Sequence, residues 1–244
     1  MSGHSHAKTI KHQKEITDQK RGQIFSKMAR LISVATKEGG PNPETNARLR
    51  LAIEEARYSN MPKENIERAI KRGSGETEGA TLENVTYEAY GPGGIAVLIE
   101  GITDNKNRAL AEVKKALGQH GGKMVGEGGI KWMFERKGYL SLALNAQPQG
   151  FQNKEKLELL AIESGAEDIY WRGDDLDVYT EVEELEKVKR ALEEKEIKID
   201  IQSLDWKPKE MVVVGEKENE DCKKLFEELD ELDSVQEIYS NLKI

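Results

Sequence analysis

Residues 139–144 read YLSLAL, 168–171 DIYW, 176–180 LDVYT and 198–204 KIDIQSL. These four short runs read as strands, with apolar and polar residues alternating in places and the aromatic and β-branched residues that favour a sheet in the rest. Between them lie 156–164 (KLELLAIES) and 183–194 (EELEKVKRALEE), whose apolar residues recur at the three- and four-residue spacing of a helix. The order is therefore β-α-β-β-α-β, which predicts a ferredoxin-like sheet with two helices on one face. Downstream, only a strand over 211–214, a helix over 222–232 and a strand over 235–242 remain. Three elements are too few for a separate core, so they are expected to complete a sheet begun earlier, leaving residues 137–205 as an inserted domain.

That earlier sheet starts where Val85, Tyr87 and Ala89 alternate. A turn at Gly91-Pro92-Gly93-Gly94 leads into a buried strand over 95–99. Thr103-Asp104-Asn105 is a helix start, Leu110, Val113 and Leu117 form its stripe, and His120-Gly121-Gly122 stops it. A strand over 130–134 is expected to close this unit. Upstream of a Gly/Ser/Glu linker at 73–80 the period is helical throughout. Phe25, Met28, Leu31, Ile32 and Ala35 mark a first helix ending at Gly39-Gly40, and Leu49, Ala52, Ile53 and Ala56 mark a second. Ile66, Ala69 and Ile70 mark a third that starts at Pro62. Residues 1–22 lack periodicity and read as a basic arm. The expected organisation is α+β: a helical domain over 1–76, an α+β domain over 77–136 plus 206–244, and the ferredoxin-like domain over 137–205.

Charge divides the chain as sharply as periodicity does. The net charge is −8, yet residues 1–74 carry 15 Lys+Arg against 8 Asp+Glu, and the rest carry 22 against 37. A module at +7 joined to a body at −15 points to a polyanion partner for the first third. The expected phosphate contacts are Lys8, Lys11, His12, Lys14, Lys20, Arg21, Lys27, Arg30, Arg68, Lys71 and Arg72. Asn107 and Arg108, in the first turn of a helix, are a further candidate anion contact. The alternative for these cations is a solvated face supported by pairs such as Glu64–Arg68 and Glu67–Lys71. The acidic helices over 183–196 and 216–233 read first as solvated faces, and second as a surface for a basic protein.

Other chemistries find little support. His4, His6 and His12 have no carboxylate or cysteine beside them to build a metal cage. The glycines at 91–94 and 126–129 lack P-loop or dinucleotide spacing and read as tight turns. Cys222, the one cysteine, lies among acids that raise a thiol pKa, so no nucleophile is expected. No disulfide can form within the chain, no secretory signal or long apolar span is read, and a reducing cytoplasm fits. Neither an enzymatic activity nor a cofactor is expected. No heptad repeat supplies a dimer, which favours a monomer.

Several ordered motifs give a family resemblance. They are Gly3-His4-Ser5 with Ile10-Lys11-His12, Lys20-Arg21-Gly22, Gly39-Gly40-Pro41-Asn42-Pro43, Asn60-Met61-Pro62-Lys63 and 65–71 (NIERAIK). In the body they are Tyr90-Gly91-Pro92-Gly93-Gly94, Thr103-Asp104-Asn105 with Asn107-Arg108, His120-Gly121-Gly122 and Phe134-Glu135-Arg136-Lys137-Gly138. In these motifs the chain resembles the YebC/PmpR family, which includes a mitochondrial translational activator. Ala7 stands where a tryptophan is expected and Gln13 where an arginine is common. The resemblance implies three domains and a non-enzymatic role in gene expression. The nucleic-acid partner it implies is DNA, for a transcriptional regulator, or ribosomal RNA, for a ribosome-associated translation factor that relieves stalling.

Overall fold

Helix α1 (Asp18–Gly39) is the spine of the first unit. Met28, Ile32 and Ala35 face a core shared with α2 (Ala47–Tyr58) and α3 (Lys63–Gly73), into which Leu49, Ile53, Ala56, Ile66 and Ala69 project. Two local devices set this packing. The Asn46 side chain accepts from the Leu49 amide at 3.0 Å, capping α2, and donates to the carbonyls of Ala35 and Gly40 at 2.8 Å each. Gly73 ends α3 where a Cβ would lie 2.3 Å from the Ser33 carbonyl oxygen, so only glycine lets α3 close on α1. The computed structural model describes residues 18–77 and 81–243.

The second unit opens with β1 (Glu83–Tyr90), β2 (Ala96–Thr103), α4 (Lys106–Gln119) and β3 (Lys123–Val125). The chain then enters the ferredoxin-like unit: β4 (Phe134–Ala143), α5 (Lys154–Glu163), β5 (Asp168–Arg172), β6 (Asp175–Thr180), α6 (Leu185–Glu194) and β7 (Ile201–Pro208). It returns through α7 (Glu216–Glu231) and β8 (Val235–Ser240). The two antiparallel sheets have the orders β3-β1-β2-β8 and β5-β6-β4-β7. The second order, with the first strand between the third and the fourth, is the ferredoxin-like arrangement that the β-α-β-β-α-β pattern predicts.

Helices α4 and α7 cover one face of the first sheet, where Val97, Ile99, Val113, Leu117, Phe226 and Ile238 form the core. The opposite face meets the ferredoxin-like unit through Leu98, Ile130, Phe134 and Tyr239, with Trp206 alongside. Glu100 closes that junction, accepting from the Trp206 indole at 2.8 Å and from Arg136 at 3.3 Å. Among the described residues, no helix is long and apolar enough to cross a membrane.

Several element boundaries differ from the expected ones: α7 begins at Glu216 rather than 222, and β4 at Phe134 rather than 139. Residues 18–22 are helical rather than part of an arm, because α1 begins at Asp18. The expected strand over 130–134 is a turn over Lys131–Met133 followed by the start of β4, and β3 closes the sheet instead. Ile130 and Phe134 are apolar because they plug the junction between sheets, not because they alternate in a strand. The run over 211–214 makes a single bridge, Val212 to Leu242, and Val213 is 74% exposed. The last strand of the ferredoxin-like unit runs over 201–208 rather than 198–204.

Candidate nucleic-acid interface

Two groups stand out among the described cations of the first third. One ties the helical unit to the acidic body. Lys27, 7% exposed, places its ammonium 2.7 Å from the Asp230 carboxylate and donates to the Asp230 carbonyl at 2.6 Å. Arg30 donates to the carbonyl of Asp233 and lies 3.4 Å from its carboxylate. Lys20 pairs with Glu231 at 3.9 Å and Arg50 with Glu186 at 3.9 Å, whereas Arg48 pairs inside the helical unit, with Glu38. The acids at the end of α7 thus meet a basic surface of their own chain. Lys27 and Arg30, both expected at phosphates, are placed here as ties between units.

The other group is free. Arg68, Lys71 and Arg72 of α3 are exposed, and their side chains make no hydrogen bond or ion pair among the described residues. The expected pairs Glu64–Arg68 and Glu67–Lys71 do not form; Glu67 pairs backwards with Lys63 at 3.5 Å. Arg72 has a central position. It borders a groove of about 260 Å³ shared with Arg68, Phe25 and Ser26, and a second of about 260 Å³ with Lys37 and Leu82. It also borders a cleft of about 450 Å³ between the first two units, into which Arg30 and Arg108 also face.

Arg108 enters that cleft from α4. Asn105 caps the helix, its side chain accepting from the Arg108 amide at 3.0 Å, as the Thr-Asp-Asn start implies. The Arg108 guanidinium is held 2.6 Å from Asp104 and 4.0 Å from Glu112, while Asn107 is exposed beside it. Arg21 lies apart, exposed on the rim of a cleft of about 1000 Å³ against the ferredoxin-like unit. Lys8, Lys11, His12 and Lys14, with His4 and His6, lie outside the described residues. The structure therefore brings Arg30, Arg72 and Arg108 together, with Arg68 and Lys71 on the same helix as Arg72. It separates Lys27 and Arg21 from them.

Both glycine turns are accounted for internally. Gly93 takes φ +69 in the 91–94 turn, where a Cβ would lie 2.7 Å from Val214. The 126–129 turn does present amides to an anion, and the anion is Glu88. Its carboxylate accepts from the amides of Gly128, Ile130 and Lys131 at 2.7, 2.7 and 2.9 Å. Burial pushes this carboxyl up, but the three amides and the Lys131 charge outweigh it and hold it below the ordinary range. Sequence reading missed Glu88 because a polar residue in an alternating strand ordinarily faces water. The Cys222 thiol is buried and pushed up to about 11, first by burial and then by Asp221 and Glu218. Among the described residues no cluster of three or more His, Cys, Asp or Glu is arranged to hold a metal.

Residues 5–76 match the family model described as the TACO1/YebC protein N-terminal domain, and residues 82–242 match that of the TACO1/YebC second and third domain. The chain belongs to the TACO1/YebC family. Its similarity to TACO1/YebC relatives runs the full length. A "Probable transcriptional regulatory protein" of Dehalococcoides mccartyi is 45% identical, covering 99% of this chain and 94% of the relative. One from Aquifex aeolicus is 46% identical, covering 100% and 96%. The crystal structure of a conserved hypothetical protein from Aquifex aeolicus, 43% identical, superimposes with a TM-score of 0.86 over 96% of this chain and 97% of that one.

Proposed function

We propose that this TACO1/YebC-family chain is a non-enzymatic, nucleic-acid-binding regulator of gene expression acting in the cytoplasm. It grips a sugar-phosphate backbone through Arg68, Lys71 and Arg72, extended by the basic residues of the arm. One observation carries this reading. Lys20, Lys27, Arg30 and Arg50 are matched to acids of the body, whereas these three are exposed together on one helix with no ion pair among the described residues, beside the cleft shared with Arg30 and Arg108. A merely solvated face has no need for such a bias of sign.

Two targets follow. The names of the relatives, as probable transcriptional regulatory proteins, support DNA. The charge order along α3 supports a structured RNA, with the ribosome as its carrier. A DNA-reading helix places its N-terminal residues on base edges. The corresponding turns of α3 carry Glu64 and Glu67 with Lys63, and three of its four cations come from Arg68 onward. That order suits a backbone read by shape. Sedimentation of a lysate through sucrose at low and moderate salt separates the two. Co-migration with ribosomes at low salt, abolished by ribonuclease, supports RNA; top-fraction migration with retention on duplex DNA supports a transcriptional role. If the protein engages neither polymer at low salt, the reading fails.

A further inference from the structure

The 126–133 loop does more than close the first sheet. In the pairing of β1 with β3, Glu88 lies opposite Val125 and Tyr90 opposite Lys123. Directly opposed residues project to the same face, so Glu88, Tyr90 and Lys123 share one side of the sheet edge. The loop crosses that side with its backbone fixed by the three amide contacts to Glu88 and by Ile130, which is fully buried. Two residues on, Trp132 is 66% exposed. Its indole N–H donates to the Gly129 carbonyl at 3.1 Å, so the ring is oriented as well as displayed.

A large aromatic left in water forgoes the stabilisation that burial would give it, about 25 cal/mol per Å² of apolar surface. Here it is also held by a buried carboxylate and an indole hydrogen bond. Its surroundings identify what it is displayed to. An apolar protein-docking patch would gather several aliphatic side chains, whereas the exposed neighbours in the loop are glycines, Glu127 and Lys131, with Lys123 on the adjoining strand. Tyr90, 39% exposed, supplies a second ring on that side. Aromatic faces among ammonium groups are the pattern that takes up stacked bases and their phosphates. The site is also remote from α3. Tyr90 is at the far end of β1 from Glu83, whose end of the strand adjoins Lys37 of α1, and eight strand residues span about 25 Å.

We propose that the 126–133 loop is a base-stacking platform for a single-stranded nucleic-acid segment. Trp132 provides the ring, Lys123 and Lys131 meet the flanking phosphates, and Glu88 is the positioning residue. This second contact rests on the nucleic-acid reading given above.

The test uses the full chain and fluorescein-labelled oligoadenylate, with duplex DNA alongside, over a range of salt. Trp132→Ala should weaken oligoadenylate binding about 5- to 150-fold, the range that loss of one stacked base implies, without changing the salt slope. Trp132→Phe should retain most of the affinity, and its unfolding midpoint controls for folding. Lys123→Gln with Lys131→Gln should make the slope shallower. If Trp132→Ala binds oligoadenylate like the parent while Arg68→Gln/Lys71→Gln/Arg72→Gln binds weakly, the platform is refuted and the nucleic-acid reading stands. If Trp132→Ala keeps oligoadenylate but loses a protein partner, the ring belongs to a protein interface and the platform is again refuted. If the parent binds neither polymer, both inferences fall.

Discussion

Lys27 of α1 reaches across to α7 and sets its ammonium 2.7 Å from the carboxylate of Asp230. The pair joins residues 203 positions apart and fastens the basic helical unit to the acidic body. The Lys27 side chain is 9% exposed and that of Asp230 33%, so the pair is only partly screened by solvent. Lys27→Gln should therefore lower stability by about 1–3 kcal/mol, less than the loss of a fully buried partner. The salt dependence of nucleic-acid binding should not change. Urea unfolding and binding titrations on the same variant check both halves; an unchanged midpoint with weaker binding would return Lys27 to the phosphate-binding set.

Glu88 makes stability depend on pH in a defined direction. Its folded carboxyl titrates below the ordinary 4.5, so it contributes stability that is present above that value and lost as the pH falls through the folded pKa. Glu88→Gln leaves the three amides without a charged acceptor and should cost about 1–3 kcal/mol near neutrality. The gap between parent and variant should narrow as the pH drops below about 4.5. Urea midpoints between neutrality and acid give the difference directly; a gap independent of pH would mean that the carboxylate is not the anchor.

The ferredoxin-like unit should fold by itself. Phe134 and Pro208 oppose one another in the pairing of β4 with β7, so the chain enters and leaves at neighbouring points. We expect residues 134–208 to unfold cooperatively when excised, and the remainder to keep its sheet when they are replaced by a short Gly/Ser linker. Far-UV circular dichroism during urea titration of both fragments measures this. Gradual, non-cooperative loss of signal from the excised segment would refute the boundary.

The strand-and-helix order of the ferredoxin-like unit was legible because each element there carries its own period, and the helical unit likewise because Ile32, Leu49 and Ile66 recur on single faces. What escaped was whatever depends on distant partners. Lys27 and Arg30 look like any basic helix residues until α7 is folded against them. Glu88 looks solvent-facing until the 126–133 loop covers it. Ile130 and Phe134 mimic a strand because a buried plug and a buried strand both need apolar residues. The free cations of α3 were legible as charge, but their freedom was not. It emerges only when Lys20, Lys27, Arg30 and Arg50 are seen to be matched to acids of the body.

That freedom of Arg68, Lys71 and Arg72 is most directly tested by the slope of log K against log salt for the parent and for the triple Gln variant. With about six phosphates neutralised, the parent should give a slope of about −4 to −5 on either ribosomal RNA or duplex DNA. The variant keeps helix-forming side chains on an exposed face and should remain folded within about 1.5 kcal/mol. Its slope should be shallower by about 2–3 units, as three lost phosphate contacts require. A folded variant with the parental slope would contradict the assignment and make the basic face of α3 a solvated surface.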